Sequence, residues 1–140
     1  MLRILVADDS RFQILLLSQA LQKKGFEVLT AQDAMQTGMF ALRTVPDAIV
    51  LDINMPGGTG IEVLKRLKRS TKTRNIPVVV VSGTNDASIR QVALDLGVAD
   101  FLPKPVDLDQ LCSTLSALLS NRSTVVGREQ EAVSSAHPAR

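Results

Sequence analysis

Ala48-Ile49-Val50-Leu51-Asp52 is four apolar residues without a break, ending on an acid. A strand with one wet face alternates apolar and polar residues. An unbroken run suits a strand covered on both faces, as in a parallel sheet inside an α/β domain. Comparable short runs occur at Ile4 to Ala7, Val28 to Thr30, Val78 to Val81 and Phe101-Leu102. The segments between them carry helical periods. Ile89, Val92, Ala93 and Leu96 follow i, i+3, i+4, i+7, and Leu108, Leu111, Cys112, Leu115, Leu118 and Leu119 extend a longer stripe. Further helices fit Ser10 to Lys24, closed by Gly25, then Asp33 to Arg43, ended before Pro46, and Gly60 to Lys68 with Ile61, Leu64 and Leu67 inward. Five strands thus alternate with five helices. That pattern predicts βαβ crossovers and a doubly wound parallel sheet, with ligands at the carboxyl ends of the strands.

Of the 140 residues, 45% are apolar, enough for one core and too few residues for two full domains. Sixteen basic residues against fourteen acidic ones leave a formal charge of +2, which by itself points to neither nucleic acid nor an anionic membrane. The single cysteine, Cys112, has no internal disulfide partner, and the start Met1-Leu2-Arg3-Ile4-Leu5-Val6-Ala7-Asp8 reaches an acid too soon for a signal peptide. No run approaches the length and apolarity of a membrane span. A reducing, cytoplasmic setting is expected. From Asn121 the sequence turns to Ser, Thr, Arg, Glu and small residues without an apolar period, so residues 1–120 read as the domain and 121–140 as a flexible C-terminal tail or the start of a linker.

The first strand ends in Asp8-Asp9 and the third runs into Asp52, so adjacent strands would place three carboxylates at one sheet edge. Like charges so close disfavour ionisation unless a cation offsets them. Magnesium suits such a cup, since it takes oxygen ligands and keeps positions for water and phosphate. Ser82, after Val78 to Val81, and Lys104, after Phe101-Leu102-Pro103, bring a hydroxyl and an ammonium to the same edge. Phosphoryl transfer to a carboxylate needs an in-line nucleophile, a metal, and donors where charge spreads over the moving oxygens. Asp52, Asp8 with Asp9, Ser82 and Lys104 supply that set. Simpler roles stand beside these. Asp9 or Ser10 could cap the following helix, Ser82 or Asn85 could cap one starting near Asp86, and Lys104-Pro105 could be a solvated turn.

Four spaced motifs together resemble the receiver domain of two-component response regulators, the CheY-like kind, over Met1 to about Ser120. They are Leu5-Val6-Ala7-Asp8-Asp9; Leu51-Asp52-Ile53-Asn54-Met55-Pro56 with Gly60 further on; Val81-Ser82-Gly83; and Gly97-Val98-Ala99-Asp100-Phe101-Leu102-Pro103-Lys104-Pro105. The resemblance implies a flavodoxin-like (βα)5 fold with strand order 2-1-3-4-5. It implies Asp52 as phosphoacceptor, a magnesium ion held by Asp8, Asp9, Asp52 and the Asn54 carbonyl, with Asp8 acting largely through water, and Ser82 and Lys104 binding the phosphoryl oxygens. It also implies a switch through Ser82 and Phe101 that alters the surface of the fourth helix, fifth strand and fifth helix, and a cis bond between Lys104 and Pro105. Here the aromatic is Phe, without the hydroxyl of the commoner Tyr; a plain core role for Phe101 is equally consistent. Gly57-Gly58-Thr59-Gly60 makes the loop after Asp52 glycine-rich, either loosening it or forming an ordinary turn. Asn54 and Thr84 occupy positions that in receivers tune access of water to the acyl phosphate.

The implied partners are a histidine kinase or phosphotransfer protein, an output domain or target, and a second copy paired through the fourth-helix to fifth-helix face. Lys65, Arg66, Lys68, Arg69, Lys72 and Arg74 form a basic run, but no helix-turn-helix pattern or aromatic interleaving accompanies it, so it reads as a solvated helix face and not a nucleic-acid grip. Cys112, on an apolar stripe, reads as a packed small hydrophobe, and His137 lacks a ligand-spaced partner. Two rivals to the switch remain. One is a pseudo-receiver that binds partners without phosphorylation, which a missing Asp52 or Lys104 would favour; both are present. The other is an aspartate-nucleophile phosphatase of the haloacid dehalogenase kind. It expects Asp-x-Asp on the first strand and a cap, whereas Asp8 and Asp9 are adjacent and about 120 residues leave no room for one. The switch reading makes the chain a phosphorylated signalling module and not an enzyme.

Overall fold

The computed structural model describes residues 1–55, 59–83 and 86–131, with side chains through residue 120. Pro56, Gly57, Gly58, Thr84, Asn85 and His137, all singled out above, lie outside the described residues. The strands are β1 (Arg3–Ala7), β2 (Glu27–Ala31), β3 (Ala48–Leu51), β4 (Val78–Ser82) and β5 (Asp100–Pro103). They alternate with α1 (Arg11–Lys23), α2 (Ala34–Thr44), α3 (Gly60–Arg69), α4 (Ala87–Asp95) and α5 (Leu108–Glu131). All pair in parallel in the order β2-β1-β3-β4-β5, as expected.

The unbroken runs work as two interleaved sets. Leu5, Ala7, Ile49, Leu51, Val78 and Val80 face one layer with α2, α3 and α4, while Ile4, Val6, Val50, Val79 and Val81 face another with α1 and α5. Successive strand residues point to opposite faces, so every position in the run is buried by one layer or the other.

The helix starts are fixed by side-chain oxygens. Ser10, Asp33, Thr59 and Asp86 accept from backbone N–H groups of the first turns of α1, α2, α3 and α4. Of the capping alternatives, Ser10 therefore caps α1. Asp86 takes the cap of α4, and Ser82 is the last residue of β4. Gly25, at φ +94°, follows α1 in the left-handed region that glycine tolerates. Before Pro46 the chain does something the sequence did not announce: Val45 closes α2 at φ 44°, an uncommon conformation for a β-branched residue, with its N–H donating to the Ala41 carbonyl at 2.9 Å. α5 continues beyond Ser120 as far as Glu131. No helix among the described residues is long and apolar enough to cross a membrane.

Candidate functional site

The order β2-β1-β3-β4-β5 puts the carboxyl ends of β1, β3, β4 and β5 side by side, and the singled-out side chains sit there. Asp8 follows β1 and Asp52 follows β3; the Asp52 N–H donates to the Ala7 carbonyl at 2.9 Å, locking the two strand ends together. Both carboxyls are almost fully buried, whereas Asp9 is exposed at the rim. Each buried carboxyl is held on one side by backbone. Asp8 Oδ1 accepts from the Ser10 N–H at 2.9 Å, and Asp52 Oδ1 from the Asn54 N–H at 3.1 Å. The other oxygens turn to a common cation: Lys104 Nζ lies 3.0 Å from Asp8 Oδ2 and 3.3 Å from Asp52 Oδ2. Lys104 is thus an ion-paired group and not part of a solvated turn.

The Lys104–Pro105 peptide is cis, as the resemblance implies. The Lys104 N–H donates to the Ser82 carbonyl at 2.9 Å, which ties the lysine loop to the end of β4. Ser82 is itself completely buried.

Electrostatics follow from this packing. Burial pushes the Asp52 carboxyl above its ordinary pKa and the Asp8 charge adds to the rise; the Asn54 N–H and the Lys104 ammonium pull against it. For Lys104, burial acts downward, but the hydrogen bond to Asp8 and the charges of Asp52 and Asp8 outweigh it and hold the ammonium above its usual range. One oxygen from each of Asp8, Asp9 and Asp52 can be chosen so that all lie within 4.8 Å of one another. Such an all-oxygen, multiply anionic donor set fits a hard divalent cation such as magnesium.

On the neighbouring strand, Phe101 is buried in the layer beneath α4, and the Arg90 guanidinium stands over its ring, 5.3 Å from the centroid. Arg90 was not singled out from sequence; the contact exists only because α4 passes across β5, and no spacing rule links the two positions. Cys112 is buried and its thiol is pushed up by that burial, in keeping with a packing role.

The response regulator receiver domain model matches residues 4–116. The chain belongs to the response regulator receiver family. This receiver is 41% identical over 105 residues to the response regulator PleD of Caulobacter vibrioides, covering 75% of the chain and 23% of PleD. It is 37% identical over 131 residues to the transcriptional regulatory protein PrrA of Mycobacterium leprae, covering 94% of the chain and 55% of PrrA. The receiver therefore spans about half the length of PrrA and under a quarter of PleD. Among solved structures, it resembles the chemotaxis response regulator CheY4 of Vibrio cholerae, with TM-score 0.79 and 29% identity, over 85% of this chain and 99% of that one.

Proposed function

We propose that this receiver is the phosphoacceptor switch of a two-component phosphorelay, taking a phosphoryl group on Asp52 from a histidine kinase or a phosphotransfer protein. The observation that carries the reading is the placement of Asp52: at the end of the central strand, buried, one oxygen fixed by the Asn54 N–H and the other 3.3 Å from Lys104 Nζ, beside Asp8 and Asp9. An Asp52 oxygen attacks phosphorus of a phosphohistidine in line; the O–P bond forms as the P–N bond breaks, and the electron pair leaves on the imidazole nitrogen. Burial that raises the pKa of Asp52 also makes its carboxylate a stronger nucleophile. Lys104 meets the charge that collects on the phosphoryl oxygens, and Ser82 supplies a hydroxyl to them. Asp8, Asp9, Asp52 and the Asn54 carbonyl would hold a magnesium ion, whose chemistry there would be charge neutralisation.

The added charge and acceptor oxygens draw in Ser82 and the β4 end, which is bonded to the Lys104 loop. The shift passes through Phe101 to the α4-β5-α5 surface, the face for an output domain, a target protein or a second copy. With no tyrosine hydroxyl at this position, Arg90 over the ring adds to the apolar layer that Phe101 shares with α4 in coupling the two. On this reading residues 1–120 form the receiver, 121–140 a tail or linker, the setting is cytoplasmic, and the chain is a switch and not an enzyme.

Intact mass after incubation with magnesium and acetyl phosphate tests it. A hydroxylamine-labile phosphoryl adduct on the native chain, missing from Asp52→Asn, is the expected result. Absence of any adduct, together with failure to trap a beryllofluoride complex, would make the pseudo-receiver the better reading.

A further inference from the structure

α2 carries an apolar stripe that its own packing leaves partly open, from Met35 at 67% exposed to Leu42 at 37%. Met35, Met39 and Leu42 follow i, i+4, i+7, which stacks them on one flank of the helix. Met35 is 67% exposed and Met39 45%, while Ala34, Thr37, Gly38 and Ala41 of the same helix are buried. Exposed apolar groups scattered singly need no explanation, but a row of three at helical spacing is a contact surface in search of a partner. Methionine suits such a surface because its unbranched side chain adapts to the shape it meets.

Cations border the stripe. A Cβ on Gly38 of α2 would meet Arg66 Nη1 at 3.2 Å, so the guanidinium of α3 lies against the α2 backbone. Arg69 is exposed further along α3, and Arg43 is exposed in the last turn of α2. None of these arginines is in an ion pair among the described residues. α2 and α3 both return against the direction of a parallel sheet, so they run parallel to each other. Their acids, Asp33 and Glu62, sit at the starts, and their cations sit toward the ends.

We propose that the α2–α3 face docks an acidic amphipathic helix of a partner protein, with its apolar side on Met35, Met39 and Leu42 and its carboxylates on Arg66, Arg69 and Arg43. The stripe covers about two helical turns, roughly 10 Å, the length over which a facing helix presents its own i, i+4, i+7 row. The unpaired arginines set the sign of the partner's charge. A uniformly anionic bilayer is a poorer match, since it would press against Asp33 and Glu62 as well; a helix with carboxylates toward one end avoids them. The docking needs no phosphoryl group.

The test uses the full, unphosphorylated chain with 13C at the methionine methyls, and as probe a synthetic amphipathic helix of Leu and Ala with a Glu flank. The four methionines report separately: Met35 and Met39 in the stripe, Met1 exposed at the terminus and Met55 buried. Met35 and Met39 are expected to shift saturably while Met1 and Met55 stay, with no response to the same peptide carrying Lys for Glu. The double change Arg66→Glu, Arg69→Glu should weaken binding at least about tenfold. Met39→Gln, an exposed site, should weaken it as well, so a folding defect in the charge variant does not decide the matter. The proposal fails if the stripe methyls do not move or if Met1 moves equally. It also fails if phosphatidylglycerol vesicles shift the stripe and the peptide does not, or if the stripe shifts with protein concentration alone. With no phosphoryl donor present, none of these outcomes depends on the chemistry of Asp52.

Discussion

Two buried carboxylates depend on one ammonium: Lys104 Nζ stands 3.0 Å from Asp8 Oδ2 and 3.3 Å from Asp52 Oδ2. Lys104→Met keeps most of the stem and removes the charge, leaving Asp8 and Asp52 to repel each other. In chelator the variant should lose about 2 kcal/mol in urea unfolding, with the deficit shrinking when magnesium is added, because a cation in the cup compensates the same charges. Equal or higher stability in chelator would mean that the two carboxylates do not both ionise. Titration of Asp52 has its own sign. Burial raises its folded pKa, so the native state holds that proton more tightly than the unfolded chain does. Its stabilising contribution is complete below the unfolded value and is lost as pH rises through the folded one. Asp52→Asn, which cannot ionise, should therefore gain on the native chain in chelator as pH climbs from about 4 toward neutrality, read as a widening gap in urea midpoint. A gap that narrows with rising pH would contradict the raised pKa. At this scale the sequence was highly legible, because Asp8, Asp9, Asp52, Ser82 and Lys104 each follow or end an apolar run. The Ser10 N–H on Asp8 and Arg90 over Phe101 were not, since both depend on how the chain turns or crosses in space.

α3 is held against the end of β3 by a contact only glycine allows. A Cβ on Gly60 would lie 2.6 Å from Ile53 Cα and 2.8 Å from the Asp52 carbonyl oxygen, both backbone atoms, and the Gly60 N–H donates to the Ile53 carbonyl at 2.7 Å. Neither atom can rotate away, so Gly60→Ala must push α3 off the segment that positions Asp52. About 2–3 kcal/mol of stability should be lost in urea unfolding, and acetyl phosphate labelling should slow because the Asn54 N–H no longer fixes Asp52. A variant that keeps both stability and labelling rate would show that the loop adjusts freely. Element order was readable because buried parallel strands give unbroken runs. Fine placement was less so. In α4 the row Ile89, Val92, Ala93, Leu96 is wider than the face it packs with: Ala93 is buried, while Val92 remains 41% exposed. The end of α2 was placed correctly by Pro46, yet nothing in the residue types marks Val45, a β-branched residue left 40% exposed, for a positive φ.

The molecule is a sheet between two helical layers, and its C-terminal helix closes one of them. Leu111, Cys112, Leu115 and Leu119 of α5 join Leu17 and Leu21 of α1 against Val6, Val50, Val79 and Val81. Leu119, almost fully buried, is the last of these anchors, and the helix itself runs on to Glu131. The apolar period of the sequence ends at the same place, which is why the receiver boundary was set at 120 although the helical backbone does not stop there. A helical stretch whose sequence has no apolar period contributes little, because most helical stability in proteins comes from tertiary packing of an amphipathic face. A chain ended after Ser120 should therefore unfold within about 0.5 kcal/mol of the full one and accept a phosphoryl group at the same rate. A chain ended after Ala117 loses Leu119 from the core and should fall by about 3 kcal/mol. Urea midpoints of the three lengths decide between boundaries. If the chain ended after Ser120 falls as far as the shorter one, residues beyond 120 belong to the receiver core and the linker assignment is wrong.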